Sequence, residues 1–378
     1  MTDVRVVPVK SRSDVSAFIN LPKSIFAGDP SWIAPLDVER RMHLGKHNPY
    51  FEHAEAQLFL AMRGETPVGR ISAQIDRLHL ERYRDATGQF GFLDAVDDPS
   101  VFAALLRASE AWLAARGISR AQGPFSFSIN DESGLLVRGF EKPPAIMMGH
   151  ALPYYGNRVE EAGYRKAKDL IAYEYDLHNA VPRGLSSVAA KAQASGRLKV
   201  RQLSKRNLAR DLDIIIDIFN DAWSANWNFV PMTPAEIKNL GSILKLLVDE
   251  QHVAIASLND EPAAMIVSLP DLNGMTGDLD GRLLPFGWAK FLWRLKAKTH
   301  PAFRVALMGV RSRYRSSAVG AMLAIAVIDA IHLFHRSRGT LRSELSWILE
   351  DNMPMRRIIE ALGADPYKTY RIYEKAIG

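Results

Sequence analysis

The stretch Val305–Leu323, VALMGVRSRYRSSAVGAML, decides the fold. Val305 to Val310 is a short apolar run of the kind that forms a buried strand. It breaks into a basic turn of small residues, Arg311-Ser312-Arg313-Tyr314-Arg315-Ser316-Ser317-Ala318-Val319-Gly320, and an apolar helix follows at once through Ala321 and Leu323. The first N–H groups of that helix lack intrahelical acceptors, and the helix dipole adds partial positive charge at the same end. A strand that opens into a helix through small residues is a phosphate cradle, and the arginines around it suit a pyrophosphate. An ordinary capped helix after a strand would share part of the pattern.

Here the chain resembles the GNAT superfamily of acyl-CoA N-acyltransferases. Their Arg/Gln-x-x-Gly-x-Gly/Ala signature corresponds to Arg315-Ser316-Ser317-Ala318-Val319-Gly320, with alanine at the first glycine. The resemblance implies that Val310, Arg313, Arg315, Ser316, Ser317, Ala318, Val319, Gly320 and Ala321 hold the CoA pyrophosphate. Asn352 matches the asparagine that opens the last helix in many members and touches the CoA arm; it also suits a plain N-cap.

The elements around the cradle have the GNAT order. Leu198–Leu203 alternates like a strand, and Leu208 to Trp223 is a helix with Leu212, Ile215, Ile216 and Phe219 on one face. Thr233, Pro234 and Glu236 start a second helix through a capping box. Strands His252–Leu258 and Ala263–Leu269 flank a polar turn. After a long insertion, 270–301, come strand Phe303–Val310, the cradle helix, strand Leu341–Trp347, helix Met353–Leu362 and strand Tyr367–Tyr373.

The first half repeats this loosely. Leu60-Ala61-Met62-Arg63-Gly64-Glu65-Thr66-Pro67 parallels Ile255-Ala256-Ser257-Leu258-Asn259-Asp260-Glu261-Pro262. The expectation is an α/β protein of tandem GNAT-like domains with mixed central sheets flanked by helices. A degenerate, acceptor-side domain spans 1–178, and a domain with the acyl-CoA site spans 185–378. The linker lies near His178–Gly184. A single GNAT domain behind an unrelated α/β domain is the alternative. The first half has no cradle: its strand Phe90–Val96 runs into Asp97-Asp98-Pro99-Ser100, whose carboxylates would repel a pyrophosphate.

Bulk properties agree with this reading. A chain of 378 residues prepares for two domains, and its net charge of +6 favours acidic ligands without choosing among them. With no cysteine, disulfides, Cys–metal sites and a cysteine nucleophile are excluded. The start, MTDVRVVPVKSRSDV, is no secretory signal, and no apolar run reaches the ~18 residues of a membrane span. A cytoplasmic protein is expected, with membrane-surface contact open. His53 and His150 stand alone without metal-ligand spacing, so no metal is expected. No recognised nucleic-acid motif accompanies the basic charge, and no nucleic-acid partner is expected.

An amine attacking a thioester must lose a proton, and the leaving thiolate must gain one. The resemblance implies a carboxylate or ordered water as base and a tyrosine after the last helix as acid. Glu344, in the strand beyond the cradle helix, is the candidate base; Tyr370 and Tyr373 are candidate acids. Trp223, Trp227 and Phe229 follow the first helix of the second domain, where the fold places the acceptor wall, and suit an apolar acceptor or acyl chain. Asn130 and Glu132, in a polar triplet of the first half, are candidates for orienting the acceptor.

The insertion carries an aromatic, cationic helix, Leu283–Lys298. Trp288, Phe291, Leu292 and Leu295 share one face; Lys290, Arg294 and Lys298 recur on another. That pattern suits an anionic membrane surface, and equally a helix packed on the domain. Along nearly its whole length the chain is similar to a bacterial double-GNAT family that includes ceramide synthase-like proteins. This implies an N-acyltransferase using acyl-CoA to acylate the amine of a long-chain, sphingoid-type lipid. Other readings are an N-acetyltransferase for a small soluble amine, an aminoacyl-tRNA-dependent tandem-GNAT transferase, and a non-catalytic CoA- or lipid-binding protein.

Overall fold

The structure is a computed structural model that describes residues 3–179, 183–297 and 300–378. By contact the chain divides into two compact units. Unit 1 comprises Met1–Leu170, Thr276–Phe291 and Lys368–Gly378; unit 2 comprises Ile171–Met275 and Leu292–Tyr367. Residues 180–182 of the expected linker lie outside the described residues.

The chain runs through β1 (Val4–Pro8), α1 (Arg12–Ile25), α2 (Asp37–His43), β2 (Ala54–Arg63), β3 (Thr66–Asp76), α3 (Arg77–Tyr83), β4 (Thr87–Ala95), α4 (Pro99–Ala114), β5 (Arg120–Gly123), β6 (Phe125–Ser126), β7 (Glu132–Ser133), β8 (Leu135–Arg138) and α5 (Tyr155–Glu161). It continues with β9 (Arg165–Asp176), α6 (Arg183–Ala194), β10 (Leu198–Gln202), α7 (Leu208–Trp223), α8 (Pro234–Leu247), β11 (Val253–Leu258), β12 (Glu261–Pro270), α9 (Leu272–Thr276) and α10 (Gly287–Leu295). It closes with β13 (Ala302–Val310), α11 (Ala318–Ser337), β14 (Arg342–Leu349), α12 (Met353–Ala361) and β15 (Asp365–Ala376).

In unit 1 the strand order is β1-β2-β3-β4-β5-β15. Strands β1 to β4 pair antiparallel, and β4 pairs parallel with β5 from Thr87↔Arg120 to Gln89↔Gln122. The connection between the parallel strands is α4, whose Phe102, Leu105, Leu106 and Leu113 are fully buried. Its start is fixed by Asp98, which accepts the Ser100 N–H at 2.7 Å, with Pro99 in the first turn.

Unit 2 repeats the scheme in the order β9-β14-β13-β12-β11-β10. Strands β10 to β13 are antiparallel, and β13 pairs parallel with β14 through the α11 crossover. Consecutive side chains of β13 face opposite sides. Met308 and Val310 pack with the α11 core, while Gly309 lies under Ala222 and Ile218 of α7, where a Cβ would sit 3.1 Å from Ala222. Helix α11 buries Leu323 to Val327 without a break, so it is apolar on all sides. Helix α11 is long and apolar enough to cross a membrane by length and composition alone. Half of it is nevertheless buried in unit 2, as in a core helix. The Thr233 capping box is present: Glu236 accepts the Thr233 N–H at 2.7 Å, and Thr233 Oγ1 accepts the Glu236 N–H at 3.3 Å.

Candidate active site

Strands β13 and β14 pair only from Ala302↔Arg342 to Val305↔Leu345. Beyond that point each strand continues without the other, and a cavity of about 630 Å³ opens between them. Ala306, Met308 and Val310 line one side; Ser346, Trp347 and Leu349 line the other. Trp223 and Trp227 close it from the end of α7. Ala324, Ile328 and Ile331 of α11, Met355 and Ile359 of α12, and Leu177 just past β9 extend it as an apolar arm. The Trp223 and Trp347 rings meet edge to face at 5.5 Å, and Trp223 Nε1 donates to the Met308 carbonyl at 3.1 Å. The volume falls in the range of a small-molecule site.

The cradle forms the polar mouth of the same cavity. Val310, Arg315, Ser316, Ser317, Gly320, Ala321 and Asn352 all line it. Ser317 caps α11: its Oγ accepts the Gly320 N–H at 3.0 Å and donates to the Tyr314 carbonyl at 2.7 Å. The turn is so tight that a Cβ at Gly320 would sit 2.2 Å from the Tyr314 oxygen. Ser316 adopts φ +57°, the left-handed turn conformation. Ala318 and Val319 occupy the first two helical positions, so their N–H groups have no intrahelical acceptor. Ala318 in place of glycine leaves those N–H groups intact. Arg315 donates to the Ala222 carbonyl and stays exposed at the mouth. Arg313, expected beside it, pairs with Glu261 and lies over the Tyr314 ring, and it does not line the cavity. Asn352 caps α12, accepting the Met355 N–H at 3.4 Å.

Glu344 lies behind the point where the strands part. It is 6% exposed and pairs in register with Arg304, itself 5% exposed, at 3.8 Å. Glu344 accepts hydrogen bonds from Ser346 Oγ and from the Tyr367 hydroxyl. Arg304 donates from Nε to Ser346 Oγ at 2.8 Å and from Nη2 to the Ser346 carbonyl at 3.1 Å. Burial raises the carboxyl of Asp271 above its usual range; the Gly274 N–H and Arg342 oppose the shift, and Glu344 adds to it. Arg304, Ser346, Trp347 and Tyr367 were not read as site residues from sequence. One signal was present: Arg304 is a lone charge in an apolar strand, and such a residue is seldom buried without a partner.

Other expected site residues lie elsewhere. Tyr370 and Tyr373 are fully buried in unit 1 and do not line the cavity. The Tyr373 hydroxyl donates to Glu160 at 3.1 Å, and burial followed by the Glu160 charge raises its pKa well above the usual value. Phe229 packs on Phe219 at 5.5 Å within the core instead of facing the cavity. In unit 1, Glu132 takes the guanidinium of Arg40, and the Asn130 N–H donates to Ser128 Oγ at 3.0 Å, so both belong to a local polar network. Burial works against the Arg40 charge, but Glu132 and Glu39 outweigh it and hold its pKa up.

On α10, Phe291, Leu292 and Leu295 are half-buried. The exposed apolar side chains are Leu284 (80%), Phe286 (77%), Trp288 (50%) and Trp293 (74%). Lys290 pairs with Asp278, and Arg294 donates to the Met275 carbonyl. Lys298 lies outside the described residues. Among the described residues no group of three His, Asp or Glu side chains is set to hold a metal.

The chain is 46% identical over 377 residues to the bacterial ceramide synthase of Caulobacter vibrioides, covering 99% of this chain and 98% of that one. The chain belongs to the bacterial ceramide synthase family. It is also 44% identical over 372 residues to protein YghO of Escherichia coli, covering 97% and 94% of the two chains. No family model matches. In fold the family member resembles a tandem GNAT protein from the clavulanic acid biosynthesis pathway, with TM-score 0.55, 11% identity and coverage of 100% and 99%. A GCN5-related N-acetyltransferase from Sphaerobacter thermophilus superposes with TM-score 0.54 at 13% identity, covering 99% and 95%. The ceramide synthase-like chain thus has the tandem GNAT fold and is an N-acyltransferase.

Proposed function

We propose that the protein transfers the acyl group of an acyl-CoA to the amine of a long-chain, sphingoid-type lipid. The observation that carries this reading is one cavity with a phosphate cradle at its mouth and an apolar arm within. A pyrophosphate would meet the α11 N-terminus and Arg315; the pantetheine arm would pass Asn352 between the parted strands; an acyl chain would lie among Ile328, Ile331, Leu177 and Ile359. Trp223 and Trp227 would wall the acceptor. Glu344 is the base. With Tyr370 and Tyr373 away from the cavity, the departing thiolate takes its proton from the acylated nitrogen. The family's ceramide synthase from Caulobacter supports a lipid acceptor over a small soluble amine.

A long-chain amine resides in a bilayer, so the enzyme must reach a membrane surface. Leu284, Phe286, Trp288 and Trp293 supply four exposed apolar side chains on one short segment. Burial of each contributes roughly 1.5–3 kcal/mol before ordering costs. This supports a cytoplasmic enzyme that attaches reversibly to the inner face of the cytoplasmic membrane, driven more by apolar insertion than by Lys290 and Arg294, both already engaged.

The test is release of free thiol from purified protein given acetyl-CoA or palmitoyl-CoA, with a sphingoid base or a soluble amine. Thiol release is expected with palmitoyl-CoA and the sphingoid base. Release only with acetyl-CoA and the soluble amine would replace this reading with the N-acetyltransferase one.

A further inference from the structure

We infer that the Ser346 hydroxyl is the group that takes the proton from the acceptor amine and hands it to Glu344. The inference rests on the reading of Glu344 as base. Glu344 itself does not line the cavity, whereas Ser346 does. Ser346 is the first residue of β14 past the paired segment, so it stands at the vertex where the strands part.

A serine hydroxyl has one hydrogen and two lone pairs. Here the hydrogen goes to Glu344 Oε1 and one lone pair accepts Arg304 Nε–H at 2.8 Å. The second lone pair remains for a donor from the cavity. Arg304 also grips the Ser346 carbonyl at 3.1 Å, and Tyr367 donates to the other Glu344 oxygen. The hydroxyl is therefore held in one orientation, aimed at the carboxylate. Arg304 and Tyr367 act as positioning residues. Among the described residues, Arg304 from β13 faces Glu344, and Asp271, with Arg342 beside it, lies at longer range.

The proton balance closes. The amine enters as an ammonium ion. One N–H proton passes to Ser346 Oγ while the Ser346 proton passes to Glu344, leaving a neutral amine and a protonated carboxyl. The nitrogen lone pair then forms the N–C bond at the thioester carbonyl. Collapse breaks the C–S bond, and the nitrogen gives its extra proton to the thiolate. Glu344 releases its proton to solvent, one per turnover.

The experiment compares Ser346→Ala, Ser346→Thr and Glu344→Gln for acyl-CoA affinity and for initial rate with a sphingoid base, from about pH 7 to pH 10. Ser346→Ala should lower the rate at neutral pH by about a hundredfold with acyl-CoA affinity unchanged. The defect should shrink as pH rises and the amine deprotonates in solution, and Ser346→Thr should restore much of the rate. A purely structural role would give a pH-independent defect or lost acyl-CoA binding, and either result overturns the relay. A fully active Ser346→Ala beside an inactive Glu344→Gln would reject the relay and keep the base. Full activity in both would reject the base as well.

Discussion

The two units build the same strand–helix–strand crossover and differ where chemistry would occur. Unit 1 aligns Gln89 with Gln122 at the third pair of its parallel strands; unit 2 aligns Arg304 with Glu344 at the third pair of its own. Two residues further on, Pro124 stands where unit 2 has Ser346. Next to that point a Cβ on Gly91 would sit 1.7 Å from the Phe125 carbonyl, so unit 1 fills the space with its own chain. Unit 2 leaves a cavity there. At the helix start, unit 1 puts Asp98, held by Arg63 at 2.6 Å, where unit 2 puts Ser317. Amide pairs, a filled gap and a carboxylate cap keep a fold. A charged pair, an open gap and a neutral cap leave room for an anion and a reaction.

The largest test of this contrast makes unit 2 like unit 1. Glu344→Gln should reduce the maximal rate at neutral pH by a hundredfold or more, with acyl-CoA affinity unchanged by calorimetry. The reverse change, Gln122→Glu, adds no activity. It buries a carboxylate at a position only 5% exposed and should cost a few kcal/mol in a denaturant melt.

A second test separates the exposed face of the insertion from its packed face. Replacing Phe286, Trp288 and Trp293 with serine should abolish sedimentation with anionic liposomes and leave acyl-CoA binding intact. Serine at Phe291, Leu292 and Leu295 should instead lower the melting temperature, since those side chains are half-buried. Liposome binding that survives the first triple variant would assign the segment a structural role.

A smaller contrast concerns acid. In unit 2, burial foremost lowers His252 from 6.5 to about 4 and His335 to about 2. A folded pKa below the unfolded one means that the unfolded chain binds the proton first. This contribution is intact above about pH 6.5 and falls away as pH drops toward 4. At about pH 4.5 the shift of His252 alone corresponds to a loss of about 2–3 kcal/mol. In unit 1, burial lowers His79 and His150 as well, but His43, packed near β2, moves the other way: burial opposes its charge, and Glu39 and Asp131 raise its pKa. Its contribution is present in acid and lost as pH rises. Hydrogen exchange between pH 7 and pH 5, corrected for intrinsic rates, should therefore show protection falling sooner in Val253–Leu258 than in Ala54–Arg63. Equal loss in both would contradict the assignment.

The sequence made the crossover of unit 2 legible because local rules decide it. Small residues between an apolar strand and an apolar helix leave few alternatives, and the Thr233 box and the Ser317 and Asn352 caps follow from short spacing. The partners of Glu344 were hidden because they depend on strand register. Arg304 is its neighbour only once β13 and β14 pair in parallel across α11, and Tyr367 lies a helix further on. Rotation about the strand explains the tyrosines: Tyr370 and Tyr373 pair with unit 1 strands at Leu136 and Gly123. On α10 the apolar stripe was visible, but which of its edges faces the protein was set by tertiary packing.

The proposed function requires one acyl-CoA site per chain, at the start of α11. The direct measurement is calorimetric titration of CoA into the wild type, Arg315→Glu and Asp98→Ala. The expected result is one site per chain, binding about a hundredfold weaker in Arg315→Glu through loss and reversal of a charge at the mouth, and unchanged binding in Asp98→Ala. Unchanged CoA affinity in Arg315→Glu, or lost affinity in Asp98→Ala, would contradict it.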